Sequence, residues 1–256
     1  MGYSIPMYAK NVEQIVEEIM KKAFSFLLCM LALAVSVQGL AQERKLQMHA
    51  VAFYNLENLF DCQHDTLKND YSFLPDGDHH WTYHKYQAKL DRIAQVVVNI
   101  SGWESAALVG LCEVENARCL RDLCYRLKRF HYRYVHYESE DERGIDVALL
   151  YDSTKVKVLD SRPLRVDLNE DNTRDILYVK VLLHERDTMY AMVCHLPSQL
   201  GGATNTDWKR QRAKDVIQTQ IDSILLHQPN AQIVVMGDMN TLPKDDLHGM
   251  SNMMLA

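Results

Sequence analysis

The sequence predicts a layered α/β fold, and two observations carry that prediction. From residue 46 onward, short apolar runs alternate with segments of helical spacing, as they do in stacked layers of strands and helices. No repeat, low-complexity stretch or long linker divides the chain, and its 256 residues, 47% hydrophobic and 24% charged, are enough to bury a substantial core.

The predicted strands, in order, are "MHAVAFYN" (48–55), "ALVGLCEV" (107–114), "YRYVHYE" (132–138), "DVALLYD" (146–152), "KVKVLD" (155–160), "ILYVKVLL" (176–183), "YAMVCHL" (190–196) and "QIVVMGD" (232–238). Several are bounded by Asp, Asn, Gly or Pro. Helical spacing covers 83–100, 115–130 and 205–227. In the last of these, Val216, Ile217, Ile221, Ile224 and Leu225 form one apolar face, and Lys209, Arg210, Arg212 and Lys214 are expected on the solvated side. Arg210 or Arg212 could instead reach a phosphate. "LPDGDHHW" (74–81) reads as an exposed Asp-Gly turn, because the rest of a calcium loop pattern is missing.

The N-terminal region has a different character. From Met20, Lys21 and Lys22 supply a positive start, Ala23 to Val37 an apolar stretch, and Gly39-Leu40-Ala41 a small-x-small cleavage site. These are the three parts of a secretory leader. The apolar stretch falls short of the roughly 20 residues that span a bilayer, so a stable membrane span is not expected. Residues 1–19 are acidic and amphipathic, a poor start for a leader, which points to Met20 as the true start and to cleavage after Ala41. The domain proper is then 42–256, periplasmic or extracellular.

The net charge of −6 and pI near 6.0 provide no broad basic field, which argues against indiscriminate nucleic-acid binding while leaving room for a local groove. Downstream of the leader lie Cys62, Cys112, Cys119, Cys124 and Cys194. Their odd number and their positions within apolar runs suggest small buried thiols and neither a disulfide framework nor a zinc spacing.

Four strand-like runs end in polar residues of complementary type: Asn55, Glu113, His195, and Asp238 with Asn240. Strand ends are where side chains from distant parts of an α/β chain converge. If the substrate is a phosphoester, Glu113 suits a hard cation such as Mg²⁺. His195 can donate a proton or hydrogen bond near neutral pH. Asp238 and Asn240 are two apart, so an extended chain would point both the same way, and Gly237 would permit a close backbone approach. Taken singly, each residue is more simply a capped or solvated strand end.

Together, "FYNLENLFD" (53–61), "LVGLCEVEN" (108–116), "RGIDVALLYD" (143–152), "CHLPSQLGG" (194–202) and "VVMGDMNTLP" (234–243) resemble, in this order, the endonuclease/exonuclease/phosphatase superfamily, the DNase I-like proteins, with the nearest likeness to its secreted bacterial branch. The resemblance implies a four-layer α/β/β/α sandwich of two mixed β-sheets with outer helices. It also implies a Mg²⁺- or Mn²⁺-dependent phosphodiesterase or phosphatase. Carried over by motif, Asn55 and Glu113 lie on the metal side and His195 on the phosphate side. Asp238 aligns the attacking water and Asn240 holds the scissile phosphate. Arg143 is a candidate substrate contact and Asp146 a supporting residue, although either can simply shape the turn before its strand. Glu57 and Glu115 can share a face with Asn55 and Glu113, or hydrogen-bond within their loops.

Members of that superfamily continue past Gly-Asp-x-Asn with further strands and an Asp-His pair, which "TLPKDDLHGMSNMMLA" lacks. The expectation is therefore a C-terminally truncated chain with its last strands missing. The leading function is an exported metal-dependent phosphodiesterase or nuclease-like hydrolase, and the alternative is a catalytically impaired fragment or phosphate-ligand-binding pseudoenzyme. Its partner is a phosphoester, nucleic acid included; no protein partner is inferable. A serine or zinc hydrolase is disfavoured, since neither Gly-x-Ser-x-Gly nor His-Glu-x-x-His occurs.

Overall fold

A computed structural model describes residues 17–28, 30, 49–100, 104–169, 171–199 and 202–241. The chain divides into two compact units, residues 1–48 and 49–256. In the first, residues 17–28 are helical and exposed. Residue 29 and residues 31–41 of the expected leader lie outside the described residues, as do residues 242–256, on which the expectation of missing strands falls. Among the described residues, no helix is long and apolar enough to cross a membrane.

The second unit contains β1 (Val51–Leu59), α1 (Tyr83–Ile100), β2 (Leu108–Val114), α2 (Ala117–Arg126), β3 (Tyr132–His136), β4 (Asp146–Asp152), β5 (Val156–Leu164), β6 (Ile176–Leu183), β7 (Asp187–His195), α3 (Ala203–His227) and β8 (Gln232–Asp238). They build two four-stranded sheets, ordered β1-β2-β4-β3 and β5-β6-β7-β8. Each sheet is mixed: β1 runs parallel to β2 and β7 parallel to β8, and the remaining pairings are antiparallel. A parallel pair needs a long crossover, and α1 and α3 supply one in each sheet.

The strands read as continuous apolar runs because both faces of each sheet are covered. Leu108, Cys112, Val147 and Leu149 meet Leu177, Val179, Ala191, Val193 and Met236 between the sheets. Their odd-even neighbours Val109, Leu111, Ala148 and Leu150 pack under α1 and α2 against Leu90, Ile93, Leu120 and Leu123. Met192, Cys194 and Val235 face Ala213, Ile217, Ile221 and Ile224 of α3. A slip of one residue in β2 or β7 would exchange the two sets, so packing fixes the register that aims the strand ends.

Most predicted elements form where the periodicity places them, and the differences have local causes. Strand β1 runs on to Leu59 through a register shift after Asn55, with Glu57 and Asn58 at φ 52° and 64°. Helix α2 starts at Ala117 because the Asn116 side chain caps the N–H groups of Arg118 and Cys119. Strand β5 continues past Asp160 to Leu164 despite Pro163, tolerable in a strand paired only with β6. The 74–81 segment is a turn, and no disulfide joins the five described cysteines.

Candidate active site

Parallel pairing brings β1 and β2 to the same end of one sheet and β7 and β8 to the same end of the other. Asn55 is the register partner of Cys112, the residue before Glu113, and His195 is the register partner of Asp238. Four of the residues singled out by sequence therefore meet. The Asn55 amide donates to Glu113 Oε1 and to Asp238 Oδ2, each at 3.1 Å, and so bridges the two sheets. Its own Oδ1 accepts the Glu57 N–H at 2.8 Å, which fixes the direction of the amide. His195 Nε2 lies 3.8 Å from the same Glu113 oxygen.

The backbone is bent to achieve this. Glu113 has φ 63° and sits at the register shift between Cys112 and Val114, a bulge that re-aims its side chain out of the pleat. At Gly237, an added Cβ would lie 2.0 Å from the Cys194 carbonyl oxygen, immediately before His195. Gly237→Ala is therefore expected to force β8 away from β7 at a cost of about 1–3 kcal/mol, measurable by urea denaturation. Stability equal to wild type would show that the pair relaxes freely there.

Burial pulls the His195 pKa down to about 4, with the Arg174 guanidinium next in effect and Arg143 adding to it, against the opposite pull of Asp238 and Asp141. The ring is neutral at pH 7. Its Nδ1 is buried without a hydrogen-bond partner among the described residues.

Two expectations need correction. The strand ends at Asp238, and Asn240 takes φ 49°, so the pair does not continue an extended chain. Instead the Asn240 N–H donates to Asp238 Oδ1 at 3.0 Å and its amide donates to the Leu196 carbonyl at 2.9 Å. Arg210 is not on a solvated face: it is 2% exposed and donates to the carbonyls of Pro197 and Ser198 and to Thr206 Oγ1. Its guanidinium secures the loop after His195, which spacing alone does not reveal, because a long cation at the start of a helix can fold back as readily as point outward. For Glu115, the loop alternative is the one found: it is buried and accepts the Asp61 N–H at 2.7 Å.

Arg143 is half-exposed on the β3–β4 loop, with its Nε 4.0 Å from Asp141 Oδ1. Asp146 is buried at the start of β4, and burial pushes its carboxyl up to about 6. Sequence reasoning missed Arg174, Asp141 and Lys89. The Lys89 ammonium donates to the carbonyls of Glu57 and Asn58. Burial lowers its pKa while Glu57 and Glu113 hold it up.

The donor set suits a hard divalent cation. Glu113 and Asp238 turn their carboxylates toward one neutral amide, and among the described contacts no Lys or Arg is bonded to either; the nearby His195 ring is neutral. Glu115, by contrast, is a carboxyl whose burial raises its pKa to about 8. A raised folded-state value gives stability that is complete below the ordinary value of 4.5 and lost as pH rises through about 8. Glu115→Gln keeps an acceptor for Asp61 and is expected to be near neutral at pH 5 and stabilising by on the order of 3 kcal/mol at pH 9. Equal effects at both pH values in urea unfolding would contradict this.

A family model described as "Endonuclease/Exonuclease/phosphatase family" matches residues 50–252. Among solved structures, the endonuclease/exonuclease/phosphatase from Bacteroides vulgatus is 20% identical with a TM-score of 0.54, over 77% of this chain and 67% of that one. A mannosyl-6-phosphatase from Bacteroides thetaiotaomicron is 15% identical with a TM-score of 0.54, over 75% and 66%. TDP2 from C. elegans is 16% identical with a TM-score of 0.56, over 96% and 64%. The chain thus spans about two-thirds of the length of these structures, and at such identities the likeness is one of fold. No curated protein matches the chain.

Proposed function

Since the chain belongs to the endonuclease/exonuclease/phosphatase family, we propose that it is a metal-dependent phosphodiesterase acting at the Asn55–Glu113–His195–Asp238 cluster. The observation that carries this reading is the bridging amide, with Asn55 held 3.1 Å from both Glu113 and Asp238 across two sheets. That arrangement has a catalytic use in bringing an acidic pair to one point, and little structural need. A Mg²⁺ or Mn²⁺ ion held by Glu113 beside Asn55 would supply Lewis-acid stabilisation of charge on the phosphoryl oxygens.

The chain's own groups supply the rest. The Asp238 carboxylate orients a water and takes its proton as the new O–P bond forms and the ester P–O bond breaks. His195, neutral at pH 7, donates a hydrogen bond to a non-bridging oxygen. The left-handed turn at Asn240 brings it against the Leu196 carbonyl beside His195, where it helps seat the phosphate. Arg143, on an exposed loop close enough to influence His195, meets the incoming anion. The net charge of −6 favours a small or locally bound diester over a long nucleic acid. Export rests on the leader pattern of residues 20–41.

The test uses the full chain with bis(4-nitrophenyl) phosphate and single-stranded DNA, with and without Mg²⁺, together with Mn²⁺ binding followed by electron paramagnetic resonance. Glu113→Gln is expected to weaken Mn²⁺ binding and to abolish any Mg²⁺-dependent hydrolysis. Unchanged Mn²⁺ binding in that variant would refute the assigned site.

A further inference from the structure

On the far side of β2 from Asn55, β3 and β4 bring together three side chains that the proposed reaction does not use. His136, Glu138 and Asp146 each offer a ligand atom, and these atoms lie within 4.8 Å of one another. The His136 side chain is 3% exposed and the Glu138 side chain 55%. Asp146 is 2% exposed; its Oδ1 accepts the Ser139 N–H at 3.2 Å, while its buried Oδ2 has no hydrogen-bond partner among the described residues. A buried carboxylate oxygen left bare is costly, and such an atom needs an explanation.

The histidine gives the explanation its direction. His136 Nδ1 lies 3.2 Å from the Val147 carbonyl, which can only accept, so Nδ1 carries the proton. In a neutral ring that leaves Nε2 with a lone pair facing Glu138 Oε1 at 3.2 Å, two acceptors turned toward each other. A backbone carbonyl that fixes one ring nitrogen so that the other can ligate is the usual outer-shell arrangement of a metal-binding histidine. Two ligands on arms of about 2.0–2.1 Å at a tetrahedral angle stand about 3.3 Å apart, close to the Nε2–Oε1 separation.

We propose that His136, Glu138 and Asp146 form a second metal site, for a borderline divalent transition ion of the Zn²⁺ class, with the imidazole selecting against Mg²⁺. One nitrogen and two carboxylates leave a position for water. Its location indicates what it does: the loop from Tyr137 to Ile145, carrying Arg143, is anchored on one side by Asp141 to Arg174, and the metal would anchor both of its ends on the other. The site does not depend on the Glu113 cluster or on any reading of its chemistry.

The alternative is a metal-free triad in which a doubly protonated His136 bridges Val147 and Glu138. The full chain, stripped with EDTA, is titrated with Co²⁺ and then with competing Zn²⁺. In the Glu113→Gln background, where the first site no longer competes for the ion, the expected result is one equivalent of Co²⁺ with a visible d–d band that Zn²⁺ displaces. His136→Gln and Glu138→Gln are each expected to weaken it at least about tenfold. Because Glu138 is exposed, its variant reports even if His136→Gln fails to fold. Absence of the band in the wild-type chain, or a band equally strong in Glu138→Gln, would overturn the proposal.

Discussion

Asp238→Asn is expected to lower kcat for phosphodiester hydrolysis by about 10²- to 10⁴-fold, the range typical of a lost general base, with KM changed little. The substitution is nearly isosteric, and its amide oxygen can still accept from the Asn55 amide or from the Asn240 N–H, which Asp238 now receives at 3.1 and 3.0 Å. The bridge between the sheets therefore stays closed and the fold is retained. What is lost is the charge proposed to take the water proton. Asn55→Ala is a different lesion: it removes the donor that Glu113 and Asp238 share and leaves two carboxylates facing each other. Steady-state kinetics with far-UV circular dichroism separate the two. A kcat for Asp238→Asn within tenfold of wild type would remove Asp238 from the role of base.

The strand ends were legible because burial on both faces makes β2, β4, β6, β7 and β8 apolar runs that stop where the chain turns polar, and the polar ends of β2, β7 and β8 are what converge with Asn55. Asn55, Glu113, His195 and Asp238 stand out by contrast with what precedes them. The bends at Glu113 and Asn240 were not legible, since neither residue is the glycine that a positive φ usually calls for. Nor was Arg174, which lies in "DNTRDI", a polar stretch identical in appearance to a solvated loop. Its burial depends on Asp141, a partner 33 positions away, and no local periodicity encodes that pairing. His136 and Glu138 were hidden for a related reason: the ten-residue span from His136 to Asp146 closes only when β3 and β4 pair.

Arg174→Met is expected to destabilise the fold by about 3–5 kcal/mol, the cost of leaving one member of a buried ion pair without its partner. Arg174 and Asp141 are 7% and 8% exposed and 2.9 Å apart. The guanidinium also donates to the carbonyls of His195 and Leu196 at 3.3 Å, so the same side chain holds the backbone that presents His195. Removing the charge on both sides tests the cause, because Asp141→Asn keeps an acceptor for the N–H groups of Arg143 and Ile145 while relieving the stranded carboxylate. The double variant should recover part of the loss in urea denaturation, and a single variant within 1 kcal/mol of wild type would show that the pair is not desolvated as its burial implies. The second consequence concerns the histidine. Arg174 is the largest charged contribution to the lowered pKa of His195, so that pKa should rise in Arg174→Met, as read by NMR titration of the ring. For wild type, a folded value of about 4 against an ordinary 6.5 means stability that is complete above 6.5 and lost as pH falls toward 4. In the variant that acid-side loss begins from a lower stability but spans a narrower range, which distinguishes an electrostatic role for Arg174 from a merely structural one.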